Sequence, residues 1–408
     1  MNILFLTMSQ FDSIYIHNIY SDLMLTFIKN GHRPYVVSPY EKRLAQETKL
    51  FEFSDHAILK VKVGNMSNVS PIEKGLSTIS LAHQFNAAIN KHFFGIRFDL
   101  ILYSTPPITL ECVVKRQKSR RHTHTCLLLK DIFPQNAVDL GMMHEGGLLH
   151  RYFLRKEKKL YALSDHIGCM SPANADYLLK HNPEVASEKV CVFPNSIIPK
   201  EIIKTESGKR EQRKKYGIPR NAIVFIYGGN MGKPQDIPFI IECLRYTASI
   251  KNCFFVLCGT GSEYPLLEEY VGAEAPANVL LINGLPKTEY DALLKACDVG
   301  LLFLDHRFTI PNFPSRMLSY MEQSMPILAC TDPNTDVGRV ITGGGFGWWC
   351  ESSDPAEFKM LCEEVAATSE KLTEIGAAGR RYLEDFYSAD GCCRMILARA
   401  GFSTEENT

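Results

Sequence analysis

The 408-residue sequence lacks any apolar run of the ~18 residues needed to span a membrane. Its longest candidates, Ile223 to Tyr227 and Val299 to Leu304, have the length of strands. The opening MNILFLTMSQ has no basic stretch ahead of its apolar residues, so a secretory signal is not expected. No C-x-x-C pair occurs among the thirteen cysteines, which argues against structural zinc and against a thioredoxin-like centre. Their scatter predicts reduced thiols buried as small hydrophobes in a cytosolic protein, with the adjacent Cys392 and Cys393 packing a helix. His122 and His124 have no third ligand type nearby and are read as surface, so no metal is expected. The first apolar run is followed by Ser9-Gln10-Phe11-Asp12-Ser13 rather than by a glycine fingerprint, which disfavours a dehydrogenase. Net charge is also absent, with 45 Lys and Arg against 45 Asp and Glu.

The composition that remains, 45% hydrophobic and 22% charged, is that of a globular protein and excludes disordered, collagen-like and coiled-coil chains. Its length predicts two or three domains. The neutral total hides an asymmetry: residues 1–200 hold 24 basic against 17 acidic side chains, residues 201–408 hold 21 against 28. The basic excess gathers at Lys115, Arg116, Lys118, Arg120 and Arg121, and again at Arg151, Arg155, Lys156, Lys158 and Lys159. Solvated helix faces explain it, and so does contact with an anionic membrane surface. Nucleic acid is not expected, because no stacking aromatics or binding motif accompany the charge.

Along the chain, strand-sized runs alternate with amphipathic helices. Asn2 to Thr7 precedes a helix over Ile16 to Lys29 that Gly31 ends, and Tyr35 to Ser38 is the next strand. Further strands are expected at Leu100 to Tyr103, Cys126 to Leu129, His166 to Met170 and Val190 to Phe193. A helix over Leu148 to Leu163 should bury Tyr152, Leu160 and Leu163. The polar stretch 199–221 reads as a linker or exposed entry helix. Beyond it come five strands, Ile223 to Tyr227, Cys253 to Cys258, Val279 to Ile282, Val299 to Phe303 and Pro326 to Ala329, with a helix in every gap. This alternation predicts an α/β protein of two Rossmann-like, doubly wound parallel-sheet domains, 1–198 and 199–385, facing across a cleft. A last helix, about 386–402, should pack back on the first domain. Ligands in such sheets bind at the carboxyl ends of the strands.

Three loops at those ends of the second domain carry glycine: Gly228-Gly229-Asn230 with Lys233, Gly259-Thr260-Gly261, and Asn283-Gly284 with Leu285. Glycine lets backbone N–H groups approach a phosphate, and three such loops on one edge suit a nucleotide diphosphate. Ser315 and Arg316 open a later helix, where a guanidinium beside free N–H groups suits an anion site; an ordinary surface salt bridge is the alternative. In the first domain Ser104-Thr105-Pro106-Pro107 ends one strand and Lys130-Asp131 another. Asp131 can orient a hydroxyl or accept its proton, and it can equally be a turn or cap residue. Asp12, Ser13 and Tyr15 are candidates for hydrogen bonds to a sugar.

In order and spacing these segments resemble glycosyltransferase family 4, and within it the subgroup that builds bacterial surface polysaccharides, including N-acetyl-fucosamine-type transferases. The resemblance is carried by Phe98-Asp99-Leu100, Ser104 to Pro107, Asp131-Ile132-Phe133-Pro134 and Phe193-Pro194-Asn195-Ser196. In the second half it is carried by the three glycine loops, Pro314-Ser315-Arg316 and Pro326 to Ala329. It implies the GT-B fold, no required cofactor, and a nucleotide diphosphate sugar as donor. The pattern departs from the family at several positions: Pro311 and Ser319 stand where many members carry two acidic residues, Asn230 and about Asp236 where Arg and Lys are usual, and Lys130 where His is frequent. The expectation is a retaining transferase moving a sugar, UDP-linked, to a lipid-linked or growing glycan acceptor, on the cytoplasmic side and in peripheral contact with the membrane. In it Asp131 is catalytic, and Asp12, Tyr15, Ser104, Thr105 and Lys130 bind substrate. The alternatives are a nucleotide-sugar 2-epimerase of the same fold and a catalytically weak nucleotide-binding scaffold.

Overall fold

The computed structural model describes residues 1–66, 71–118 and 123–402, with residues 71–76 in backbone only. Arg120, Arg121 and His122 lie outside the described residues. The chain divides into two compact units, Met1–Ile198 together with the segment from Tyr387 onward, and Pro199–Phe386.

The first unit contains strands β1 (Asn2–Leu6), β2 (Arg33–Glu41), β3 (Lys49–Glu52), β4 (Ala57–Val63), β5 (Leu100–Ser104), β6 (His124–Leu129), β7 (His166–Cys169) and β8 (Val190–Val192). They form one sheet in the order β3-β4-β2-β1-β5-β6-β7-β8, parallel except for the antiparallel edge strand β3. Leu4, Phe5, Leu102, Leu127 and Leu128 are buried, as expected of strands covered on both faces. The helix Ala389–Arg399 returns to this sheet, where Cys392, Cys393, Ile396 and Leu397 join a core that includes Phe5, Met24 and Phe27.

The second unit is an all-parallel sheet of β9 (Ile223–Asn230), β10 (Cys253–Thr260), β11 (Val279–Asn283), β12 (Val299–Phe303), β13 (Ile327–Thr331) and β14 (Gly347–Glu351), ordered β11-β10-β9-β12-β13-β14. Phe225, Tyr227, Phe255, Leu257, Val299 and Phe303 point into a core closed by Ile237, Ile240 and Phe358 from the covering helices.

Four local expectations change, and the alternative left open for 199–221 is decided. The first helix starts at Ile19, not Ile16, because the Asn18 side chain accepts the N–H groups of Tyr20 and Ser21 and fixes the first turn there. Within 199–221 the entry helix is what forms: Thr205 caps Glu206–Lys215, whose residues are exposed or half-buried except for the buried Arg213. The Arg213 guanidinium donates to the carbonyls of Ala296, Arg220 and Ala222 and to Asp298, so charge at this position is structural. A sixth strand, β14, borders β13, with Trp349 Nε1 donating to Thr331 Oγ1 at 2.9 Å. The helix Leu148–Leu163 buries His150, Glu157, Leu160 and Tyr161, leaving Tyr152 and Leu163 half-exposed. Glu157 can be inside because it accepts the Tyr161 hydroxyl at 2.8 Å, and burial pushes its carboxyl up to about 7. The β3–β4 hairpin was not foreseen either, since its edge strand Lys49–Glu52 is short and half charged.

All thirteen cysteines are free, and most are buried; Cys112 is exposed. Among the described residues no helix is long and apolar enough to cross a membrane.

Candidate functional site

In the second unit the three glycine loops leave adjacent strands in register. Gly229 of β9 pairs with Gly259 of β10, and Gly259 pairs with Asn283 of β11; one step on, Asn230 pairs with Thr260. The strand run alone suggests a shared edge, and the register makes the loops neighbours. A Cβ at Gly259 would collide with the Gly229 carbonyl oxygen, so the two loops approach at glycine distance. Gly229 itself has φ +122°, a backbone conformation that side-chain-bearing residues rarely adopt. The loop beyond it is held rigid. Tyr227 donates its hydroxyl to the Asn230 carbonyl at 2.6 Å, and Gln235 Oε1 accepts from Asn230 Nδ2 at 3.0 Å and from the Gly232 N–H at 3.1 Å. Asn230 therefore shapes the loop through its own side chain. Lys233 is exposed just beyond, with no ion pair among the described residues, as are Thr260 and Asn283; Gly261, Gly284 and Leu285 are half-buried.

Arg316 reaches this edge from the start of the helix Arg316–Glu322. Its guanidinium lies 4.2 Å from the centre of the Tyr227 ring, and a Cβ on Gly229 would sit 2.5 Å from one of its terminal nitrogens. Tyr227, Tyr320 and Tyr290 surround it. Among the described residues no carboxylate pairs with it. A half-buried cation, set against an aromatic face and without a carboxylate partner among the described residues, is in place for an anion. Ser315, at the N-cap, makes no capping bond and is exposed. The helix has only seven residues, so the anion site expected at its N-terminus rests on the guanidinium and the glycine loops rather than on a helix dipole. The tyrosines were missed by sequence reading because an aromatic at a strand end or in a helix looks like core; nothing in their spacing marks Tyr290 as lying under Gly228.

Nearby, Asp236, Asp305 and His306 bring ligand-type atoms within 4.8 Å of one another. Asp305 is taken up by a forked contact from Arg307, and Asp236 caps the next helix through the Phe239 N–H. These carboxylates are already employed in the structure.

In the first unit the carboxyl ends of β1, β5 and β6 stand side by side. Asp131 follows β6. Its Oδ2 accepts from Asn136 Nδ2 at 2.6 Å, and burial pushes its carboxyl up to about 7 against the hydrogen bonds from the Ile132 N–H and from Asn136. The turn is pinned by Thr105, whose Oγ1 donates to the Asp131 carbonyl at 3.1 Å and accepts the Lys130 N–H at 3.2 Å. Asp131 is not the cap of the helix Gln135–Asp139; Pro134 holds that position. A carboxyl titrating near neutrality at a strand end is suited to proton transfer.

The expected substrate contacts in this unit divide. Thr105 and Ser104 are buried, Thr105 bonded as above and Ser104 to Tyr20, so both position the loops instead of facing a ligand. Lys130 lines a small cavity with Tyr20, Leu128, Ser196 and Cys392, where burial pushes its ammonium down to about 8; it too is set inward. Asp12 pairs with the buried Lys60 of β4 at 2.7 Å, which holds the loop after β1 to the sheet. Tyr15 is 72% exposed on that loop.

Two family descriptions cover almost the whole chain: residues 18–201 match Glycosyltransferase Family 4, and residues 208–382 match Glycosyl transferases group 1. A curated relative, the probable glycosyltransferase WbjE of Pseudomonas aeruginosa, is 25% identical over 339 residues, covering 81% of this chain and 82% of the relative. Among solved structures, Anabaena Alr3699/HepE in complex with UDP aligns with a TM-score of 0.68 at 15% identity, over 98% of this chain and 100% of the other. The E. coli trehalose-6-phosphate protein bound with UDP-2-fluoro glucose aligns with a TM-score of 0.73 at 9% identity, over 98% of each chain.

Proposed function

From a chain built of a Glycosyltransferase Family 4 domain followed by a Glycosyl transferases group 1 domain, with the GT-B fold, we propose a retaining sugar transferase that uses a UDP-linked donor. The acceptor in this reading, a lipid-linked or growing surface glycan, comes from the family resemblance of the sequence; the WbjE relative, named a probable glycosyltransferase, supports the transfer of a sugar. One observation carries the donor assignment: Arg316, without a carboxylate partner, is held against the glycine loops by Tyr227. Charge developing on the departing diphosphate would be met by Arg316, Lys233 and loop N–H groups, with no metal needed. Asp131 would hold the acceptor hydroxyl. Retention lets that hydroxyl attack from the side of the leaving group, so a half-buried carboxyl titrating near 7 suffices.

UDP is expected to raise the melting temperature through mass action, by an amount that grows with its concentration. Equal stabilisation by NAD would count against the reading. Incubating the protein with UDP-sugars, with and without a lipid-linked saccharide, separates the alternatives. Transfer needs the acceptor, epimerisation does not, and a scaffold yields neither product.

The helix Leu148–Leu163 supports a peripheral membrane contact. Leu148 is 88% exposed, and one face carries Arg151, Arg155 and Lys159, which have no ion pair among the described residues. The basic face is narrower than the sequence suggests, because Lys156 pairs with Glu111 and Lys158 with Glu184. Cosedimentation with vesicles containing anionic lipid should show binding that weakens with salt. Arg155→Ala should lower it about fivefold, from ~1 kcal/mol per basic residue near the surface. Binding indifferent to both would remove this helix as the contact.

A further inference from the structure

A cavity of about 320 Å³ opens in the second unit at the end of the sheet opposite the glycine loops. Ile223, the first residue of β9, and Asp298, just ahead of β12, lie on its wall, whereas the glycine loops leave the far ends of the strands. The helix Glu206–Lys215 supplies Lys209, Arg210 and Arg213, the turn before β9 supplies Arg220, and Ser369 lies on the wall given by the later segment. Two of the four cations are used within the protein. Lys209 and Arg213 both bind Asp298, at 2.6 and 2.7 Å, and the Val224 N–H donates to the same carboxylate at 2.8 Å, so Asp298 is saturated. Arg210 and Arg220 are exposed and, among the described residues, have no ion pair. The remaining carboxylate on the wall is Glu206.

We propose that this cavity is a second anion site, taking a small phosphorylated molecule held by Arg210 and Arg220. A guanidinium presents a planar fork that matches two phosphate oxygens, and two arginines without ion pairs among the residues lining one cavity favour phosphoryl groups over a single carboxylate. The volume lies at the lower end of the ~300–1,000 Å³ typical of small-ligand sites, and the concave shape favours a small molecule over a membrane or a duplex. Positive charge is also in surplus there after Asp298 has been neutralised. The site is independent of the donor reading, since it shares no residue with the glycine loops or Arg316.

Calorimetry of the full chain with inorganic pyrophosphate, in saturating UDP and at fixed ionic strength, tests this. One site should remain with UDP present. The double variant Arg210→Ala/Arg220→Ala should weaken pyrophosphate at least tenfold while leaving UDP affinity unchanged, which also reports that the unit is folded. Loss of all pyrophosphate binding when UDP saturates, or wild-type pyrophosphate affinity in the double variant, would overturn the proposal. If UDP does not bind at all, the donor reading fails, and the two arginines still decide this site alone.

Discussion

Arg316→Ala is expected to weaken UDP binding roughly 10- to 150-fold, from the ~1.5–3 kcal/mol of a hydrogen bond to a charged group. The guanidinium is fixed on its inner side by the Tyr227 ring at 4.2 Å, so the fork is presented to the glycine loops with few alternative positions. Arg316→Lys should recover only part of the loss, because an ammonium offers a point charge and no planar pair of donors. Uridine, which lacks phosphate, should bind the alanine variant as it binds the wild type. Parallel titrations of UDP and uridine, followed by calorimetry, distinguish the causes. Equal losses for both ligands would mean that Arg316 shapes the loop at Gly229 instead of holding a diphosphate. Unchanged UDP affinity would leave Lys233 as the nearby exposed cation.

Asp131→Asn should lower sugar transfer roughly 100-fold, the lower range for acid–base assistance, with UDP affinity unaltered. The pH dependence gives an independent reading. If the ionised carboxylate orients the acceptor, wild-type kcat/KM should rise with pH through about 7, and the asparagine variant should lose that limb. Stability should move the other way. The folded carboxyl titrates near 7 against an ordinary value of 3.8, so the fold holds a proton that the unfolded chain releases between those values. The stabilisation is present below about 4 and is lost as pH rises towards 7. Asp131→Asn removes the half-buried charge, and at pH 8 it should melt a few degrees above the wild type, with little difference at pH 4. Wild-type turnover with unchanged pH dependence would leave Asp131 as a residue of the loop only.

Much of this architecture follows from local sequence. Apolar runs such as Ile223 to Tyr227 and Cys253 to Cys258 can only be strands covered on both faces, and the helices between them require parallel crossovers. Glycine at strand ends is visible for the same reason, since its backbone freedom is a property of the residue itself. Boundaries that depend on a side chain finding a particular backbone group, such as the Asn18 cap, were displaced by a few residues. The edge strands β3 and β14 were unread because edge strands bury little and so carry a weak apolar pattern; β4, an inner and nearly fully buried strand, was unread because two lysines interrupt its apolar run.

The chemistry was decided by contacts across long separations. Thr105 and Lys130 look like loop residues open to a substrate; only the pairing of β5 with β6 makes Thr105 the pin of the Asp131 turn and sets Lys130 into a cavity beside Cys392. Arg213 and Arg210 sit three residues apart on one basic helix, yet one is sealed against Asp298 and the other is left exposed, because the helix turns one face to the sheet. Sequence alone determined which residues could form strands, helices and glycine turns, because those preferences are local. Tertiary structure determined which charges remain without partners, because pairing depends on what the fold brings within hydrogen-bond reach, and Arg316 on the Tyr227 ring is its consequence.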